Sequence, residues 1–297
     1  MQAISPLNGI WCAMLTPLGA EGGIDAARFA AHAHRLLARG VDGVMPFGTM
    51  GEGPSFSVAD RAAGLEGLLV AGIAPERLTA ATGCAAFSDA LALTRHAVGQ
   101  GVARCLVLPP FFWKGLDDEA VFRYYAGLIE AVDDARLRLY LYHIPQVSGV
   151  SISPAATARL AAAYPGSVAG VKDSGGDLAH TRALLEQAPK LAILSGHEPH
   201  LPQLLPLGLA GSIGGVANLY PEAVADLLKP GAGTVETARV QAFLDVMSGY
   251  PYQAACKAVL ADQTGDAGWR ALRPPLLPLP QAEWETLRPA LRAAGFV

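Results

Sequence analysis

Two kinds of segment alternate along this chain eight times, and that alternation constrains its fold more than any other feature. Short apolar runs stand at 9–15 (GIWCAML), 43–47 (GVMPF), 78–82 (LTAAT), 104–109 (RCLVLP), 137–142 (LRLYLY), 168–172 (VAGVK), 191–195 (LAILS) and 210–215 (AGSIGG). Between and after them lie Ala/Leu-rich helical patterns near 26–39, 57–72, 87–100, 117–133, 153–163, 177–188, 199–207 and 220–228. Cap signals open several helices, at Ser57, Ser88-Asp89, Asp117-Asp118 and Ser153-Pro154. Gly40, Gly72 and Gly101 close others. Strict alternation implies parallel strands joined by right-handed crossovers. Eight such units, with no G-x-G-x-x-G opening, predict a (β/α)8 TIM barrel over a doubly wound open sheet.

Composition fits one large core, with 52% hydrophobic and 16% charged residues among 297. A net charge of −4 gives no reason to expect nucleic acid or an anionic membrane as partner. No apolar stretch approaches the length of a membrane span, and MQAISPLNGIWCAML lacks the features of a secretion signal. Cys12, Cys84, Cys105 and Cys256 are widely spaced and read as buried thiols in a reducing compartment, so a cytoplasmic protein is expected. Residues 1–230 are assigned to the barrel that carries the active site. Residues 231–297, with the connector RPPLLPLP (273–280), hold too few helices to bury a core of their own. They are expected to form a C-terminal helical extension packed on the barrel.

Functional residues in such a barrel cluster at the carboxyl ends of the strands. That rule selects Thr16, Phe47–Glu52, Pro109–Trp113, Tyr142–Pro145, Lys172-Asp173, Ser195–Glu198 and Gly214–Asn218. Of five lysines, Lys114 sits in a loop and Lys190, Lys229 and Lys257 in helical segments, where a solvated head is the natural reading. Lys172 instead closes the sixth apolar run. An apolar surround favours the free amine, which can attack a ketone to form a Schiff base. The alternative is a structural lysine paired with Asp173. Tyr142 ends the preceding run, where a phenol could shuttle protons or simply anchor a loop. In FGTMGEGPSF (47–56) the glycines allow consecutive N–H groups to face one point, a nest suited to a carboxylate, with the Thr49 hydroxyl as a further donor or relay. Glu52 there serves either the loop or the substrate.

GTMGE, YHIPQVSG and GVKDSGGD, in this order and spacing, resemble the N-acetylneuraminate lyase/dihydrodipicolinate synthase family of class I aldolases and lyases. The resemblance spans essentially the whole chain, including GSIGGVANLYP. It implies that Lys172 is the Schiff-base lysine and Tyr142 the acid/base tyrosine. The backbone of Thr49 and Met50 would hold the keto acid's carboxylate, and Ile213 would line the pyruvate end of the pocket. No cofactor is implied beyond the covalent imine through Lys172, and a homotetramer built as a dimer of dimers is the usual assembly.

Three departures from the synthase pattern matter. Met50 replaces the second of two adjacent hydroxyl residues. Val147 stands where synthases carry an arginine for the second substrate's carboxylate. Phe112, in PPFFWKG (109–115), stands where many members present a proton-relaying tyrosine to the neighbouring subunit. These losses argue against dihydrodipicolinate synthesis. SGHEPH (195–200) follows the seventh run, where related sugar-acid lyases place polyol-binding residues, which nominates Gly196, His197 and Glu198. Gly215 stands where sialic-acid lyases tend to carry serine. The expectation is therefore a Schiff-base lyase or aldolase acting on pyruvate or a 2-keto-3-deoxy sugar acid, with a dehydratase or a synthase-like enzyme as alternatives.

Readings from other classes carry less. A metal-dependent aldolase would need clustered ligands, and the only dense run, His197–His200, is broken by Pro199; no metal is expected. A phosphate-binding barrel would want cations near GSIGGVAN, which has none. A non-catalytic keto-acid-binding barrel would not require both Lys172 and Tyr142.

Overall fold

A strand falls on each of the eight apolar runs, with β5 and β6 each running one residue beyond: β1 (Gly9–Ala13), β2 (Gly43–Met45), β3 (Ala80–Ala81), β4 (Arg104–Val107), β5 (Arg138–His143), β6 (Val168–Asp173), β7 (Ala192–Ser195) and β8 (Gly211–Gly214). The computed structural model describes residues 4–296, so residues 1–3 and 297 at the two ends of the assigned ranges lie outside the description. Neighbours run β2-β1-β8-β7-β6-β5-β4-β3, all parallel. A bridge between Val44 and Leu78, with the Thr79 N–H donating to the Val44 carbonyl at 3.1 Å, nearly closes the ring. This is the expected TIM barrel. The third run contributes only two ladder residues.

The intervening helices are α1 (Ala26–Ala38), α2 (Val58–Val70), α3 (Phe87–Gly99), α4 (Asp118–Val132), α5 (Pro145–Ser148), α6 (Pro154–Ala163), α7 (Leu178–Gln187), α8 (Leu201–Leu204) and α9 (Pro221–Leu228). Ser57 forms a capping box with Asp60, and Asp117 and Ser153 cap α4 and α6 by accepting the N–H groups of Ala120 and Ala156. Gly40, Gly72 and Gly101 take left-handed φ values of 90°, 87° and 87° just past their helices. The Ser88-Asp89 signal does not act as a cap. Here α3 starts at Phe87 behind Ala86, and both polar residues lie inside its first turn. The one-turn helix α5 was not anticipated.

The segment expected as one helix over 199–207 breaks into a 3₁₀ turn (Glu198–His200), α8 and a second 3₁₀ turn (Leu205–Leu207). Pro199, Pro202 and Pro206 each remove an N–H and restart the chain at the head of a new turn.

Beyond the barrel lie α10 (Thr234–Met247), α11 (Tyr252–Thr264) and α12 (Gln281–Ala293). Lys257 on α11 corrects its expected solvated role. It is fully buried, ion-paired with Glu52 after β2, and it donates to the Ala271 carbonyl at 2.8 Å. Inside the barrel, the Tyr140 hydroxyl accepts the Leu7 N–H at 2.8 Å and its ring covers Gly170, where a Cβ would meet ring carbon at 2.5 Å. The pocket floor beneath Tyr142 is therefore packed solid.

Candidate active site

In the β5–β6 ladder Tyr142 partners Lys172 and His143 partners Asp173. Ladder partners share a sheet face and successive residues alternate, so the two pairs point to opposite sides of the barrel wall. Tyr142 and Lys172 share the inner face with Tyr140 and Gly170. The Lys172 Nζ lies 4.3 Å from the centroid of the Tyr142 ring, and both residues are 3% exposed. The Tyr142 hydroxyl is 3.2 Å from the Thr49 hydroxyl, forming a short polar relay. Leu194 and Gly211 continue the inner face through β7 and β8, and Ile213, two residues further on, shares it and is fully buried.

The GTMGE loop is braced from both sides. Thr16 donates its hydroxyl to the Gly51 carbonyl at 2.8 Å, and the Gly53 N–H closes onto the Gly48 carbonyl at 3.0 Å. Glu52, in left-handed backbone (φ 57°), turns its carboxylate to Lys257 and to the Arg273 N–H at 2.8 Å. It holds the loop. Gln253 donates to the Thr49 carbonyl at 3.3 Å. Among the described residues, the N–H groups of Thr49 and Met50 meet no acceptor, which leaves two adjacent donors for an anion. The Met50 side chain fills the space between Gly215 and Tyr252, and a Cβ at 215 would lie 3.2 Å from its sulfur.

After β7, Gly196 is required by close approach. A Cβ there would strike the Ser174 Oγ at 1.9 Å and stand 3.3 Å from the Lys172 Cε. Ser174 thus brings a hydroxyl beside the lysine, and sequence reasoning missed it. The available signal was its place two residues after Lys172, in the turn that leaves β6. The half-buried His197 packs edge-on against His200, with centroids 4.3 Å apart. Burial holds both imidazoles below their ordinary pKa, and His197 adds to the effect on His200. Neutral rings suit hydroxyl groups better than carboxylates. Glu198 does not share the open mouth with them. It is 3% exposed, and its Oε1 accepts the Val216 N–H at 3.2 Å, bracing the turn after β8. Burial raises its carboxyl pKa, against the pull of those backbone N–H groups and of Lys172.

The departure positions sit at the rim. Val147 is 58% exposed, Phe112 67% and Trp113 65%. Lys114 ties their two loops together by donating to the Phe111 and Ser148 carbonyls.

On the outer side, Asp173 is no partner of Lys172. Its Oδ2 accepts from His180 Nδ1 at 2.9 Å and from the Thr181 hydroxyl at 2.8 Å, and its Oδ1 accepts the Gly175 N–H at 2.9 Å. The three-dimensional His/Asp cluster is therefore His143, Asp173 and His180, rather than the 197–200 run, with ligand-type atoms within 4.8 Å of one another. Its geometry does not suit a metal. The two rings stack at 3.9 Å and 14°, whereas an ion lies in the plane of each imidazole that binds it. Three of the four ring nitrogens are also engaged, as His143 Nδ1 accepts the Ile152 N–H at 3.1 Å, His180 Nε2 meets the Ile152 carbonyl at 3.0 Å and His180 Nδ1 meets Asp173.

A parallel barrel with a buried lysine, a tyrosine and a hydroxyl at its carboxyl end defines a lyase or aldolase of the barrel class. Residues 6–294 match the dihydrodipicolinate synthetase family, and the chain belongs to that family. An uncharacterized DapA-like lyase of Chloroflexus aurantiacus is 38% identical over 95% of each chain. A 2-dehydro-3-deoxy-D-gluconate/2-dehydro-3-deoxy-phosphogluconate aldolase of Thermoproteus tenax is 29% identical over 75% of this chain and 70% of its own. Among solved structures, dihydrodipicolinate synthase from Agrobacterium tumefaciens superimposes with a TM-score of 0.91 at 32% identity, covering 97% of this chain and 99% of that one. The protein is thus an enzyme of a lyase and aldolase family. Among the described residues no helix is long and apolar enough to cross a membrane.

Proposed function

We propose that the enzyme cleaves a 2-keto-3-deoxy sugar acid to pyruvate and an aldehyde through a Schiff base on Lys172. The observation that carries this reading is the placement of the Lys172 nitrogen on the Tyr142 ring, with the Tyr142–Thr49 hydroxyl pair alongside. The free Thr49 and Met50 N–H groups would take the substrate carboxylate, and Ile213 would line the pyruvate end. The lysine amine attacks C2, and Tyr142 delivers the proton that lets the carbinolamine lose water. Removal of the C4 hydroxyl proton by the tyrosinate then breaks C3–C4. The bond's electron pair passes to the imine nitrogen and the aldehyde leaves. The resulting enamine takes a proton at C3, and water releases pyruvate and the amine. No cofactor enters this scheme.

Specificity follows from the rim. Val147 gives a second carboxylate no cation, which disfavours aspartate semialdehyde. Gly196, His197 and Ser174 offer uncharged polar groups to hydroxyls, while the committed Glu198 shapes the wall behind them. Cytoplasmic residence and a homotetramer with Phe112 and Trp113 at a subunit contact accompany the reading, and light scattering should return four copies per particle.

The test is intact-protein mass after pyruvate and borohydride, with peptide mapping. A reduced adduct on Lys172, absent in Lys172→Ala, is expected; its absence from folded wild-type protein would sink the proposal. Pyruvate release from a panel of 2-keto-3-deoxy acids, against semialdehyde condensation, then decides the substrate. Tyr142→Phe should lower turnover by about 10²–10⁴-fold.

A further inference from the structure

Behind the reactive pair, the outer side of the barrel wall carries a chain of hydrogen bonds that links the end of β5 to the end of β6. It runs from His143 at the end of β5 to the Ile152 backbone, on to His180 in the first turn of α7, and then to Asp173 at the end of β6. The proton count follows from the acceptors. The Ile152 carbonyl can only accept, so His180 Nε2 carries a proton. The Asp173 Oδ2 is a carboxylate oxygen that already receives the Thr181 hydroxyl, so His180 Nδ1 carries one too. His180 is therefore an imidazolium. His143 receives the Ile152 N–H on Nδ1, so its single proton is on Nε2 and it is neutral. The two rings stack at 3.9 Å, where two imidazolium charges would repel, so one cationic and one neutral ring fit the stack.

We propose that His180 is a positioning residue: its doubly donating imidazolium fixes the ends of β5 and β6 in register, so that Tyr142 and Lys172 face each other in the pocket. The inference rests on the imine reading for its consequence in catalysis, but the clamp itself does not. His143 and Asp173 are ladder partners of each other and the immediate chain neighbours of Tyr142 and Lys172, so any slackening on the outer face is transmitted one residue inward. With the proton lost, His180 keeps one donor for two acceptors, and either Asp173 or the Ile152 carbonyl is left unpaired in a largely buried place.

The groups facing His180 agree. Asp173 from β6 and Asp177 from the head of α7 favour the cation, the neutral His143 from β5 adds no charge against it, and His200 beyond them lies within the field of the same two carboxylates. Burial pulls the His180 pKa down, but the Asp173 hydrogen bond and charge outweigh it, and the net shift is upward. Burial and then the His180 charge push His143 down to about 4.

The experiment follows ring-¹⁵N signals of His180 through a pH titration of the full-length protein, together with ¹³C signals of Tyr142 and of Lys172. Both His180 nitrogens should be protonated at neutral pH, and the Tyr142 and Lys172 signals should shift with the His180 midpoint. A single ring proton at neutral pH, or unmoved Tyr142 and Lys172 signals as His180 titrates, would overturn the proposal. This arm needs no substrate: co-titration without a borohydride-trapped adduct would uphold the clamp while removing the imine reading. In the trapping assay, His180→Leu should slow adduct formation by on the order of 10-fold with little change in half-saturating pyruvate. His180→Arg keeps two donors and a fixed charge, so it should restore the rate and flatten the alkaline limb of the pH profile. Failure of His180→Arg to exceed His180→Leu would count against the clamp even if both fold.

Discussion

Two buried ionic anchors flank Lys172 and Tyr142, and they are built differently. On one side Glu52 and Lys257 join the GTMGE loop to α11; both side chains are fully buried, and their remaining polar atoms are closed by the Ala271 carbonyl and the Arg273 N–H. On the other side Asp173 and His180 join β6 to α7, with the histidine side chain 13% exposed. The first anchor spans 205 residues of chain and the second only 7. The first secures a loop against a remote element, whereas the second adjusts a strand end against the helix that follows it. The second contains a histidine, the side chain whose ordinary pKa lies nearest neutrality, and against burial Asp173 raises it. The Glu52 anchor therefore bears chiefly on stability, and the proposed role of the His180 anchor is alignment.

Removing one partner of the first anchor gives the largest expected effect. Lys257→Met leaves the Glu52 carboxylate buried and unpaired, and should destabilise the protein by about 3–5 kcal/mol in urea unfolding. Adding Glu52→Gln should recover much of that loss, because an uncharged amide no longer demands a cation. If the double variant were no more stable than the single, the ion pair would not be the element that matters. The same Lys257→Met protein should bind pyruvate more weakly, as the Thr49 and Met50 donors lose their brace.

The second anchor predicts a pH window instead. The folded-state pKa of His180 is raised, so its contribution to stability is fully present below the unfolded value of about 6.5 and fades as pH rises through the folded value. Wild type should therefore lose stability relative to His180→Arg as pH increases across that window. His143 works in the opposite sense at acid pH. Its folded pKa of about 4 means that the neutral ring loses its advantage as pH falls below the unfolded value. Parallel wild-type and His180→Arg stability curves from pH 6 to 9 would remove the titrating role.

These anchors also mark where the sequence could be read and where it could not. The eight strands were legible because an apolar run bounded by turn residues is a local signal. Lys172 and Tyr142 were legible because each closes such a run. The Glu52–Lys257 pair was not, since nothing local in YQAACKAVLADQT distinguishes a buried lysine from a solvated one; the partner arrives from the other end of the chain. His180 lay within reach of local reasoning, yet pairing it with Asp173 required knowing that β6 ends at Asp173 and α7 begins at Leu178. Glu198 looked like a polyol ligand because polar residues follow β7. The prolines that break 199–207 instead fold its carboxyl back onto the β8 turn.

The smallest effect expected lies between the anchors, where Met50 and Gly215 share one space. Gly215 has an ordinary φ of −88°, so alanine there meets no backbone penalty. Its Cβ would, however, stand 3.2 Å from both the Met50 sulfur and Tyr252 Cε1, closer than comfortable packing. Tyr252 is held within α11, whereas the Met50 thioether can turn aside, and under the proposed function a turn into the carboxylate site would crowd the substrate. Gly215→Ala should therefore cost only about 1 kcal/mol or less of stability, yet raise half-saturating pyruvate severalfold. Met50→Thr supplies a shorter side chain and should remove that penalty in the double variant. Additive effects of the two changes would mean that the methionine does not move, and that the loop is held more rigidly than the Glu52 anchor alone requires.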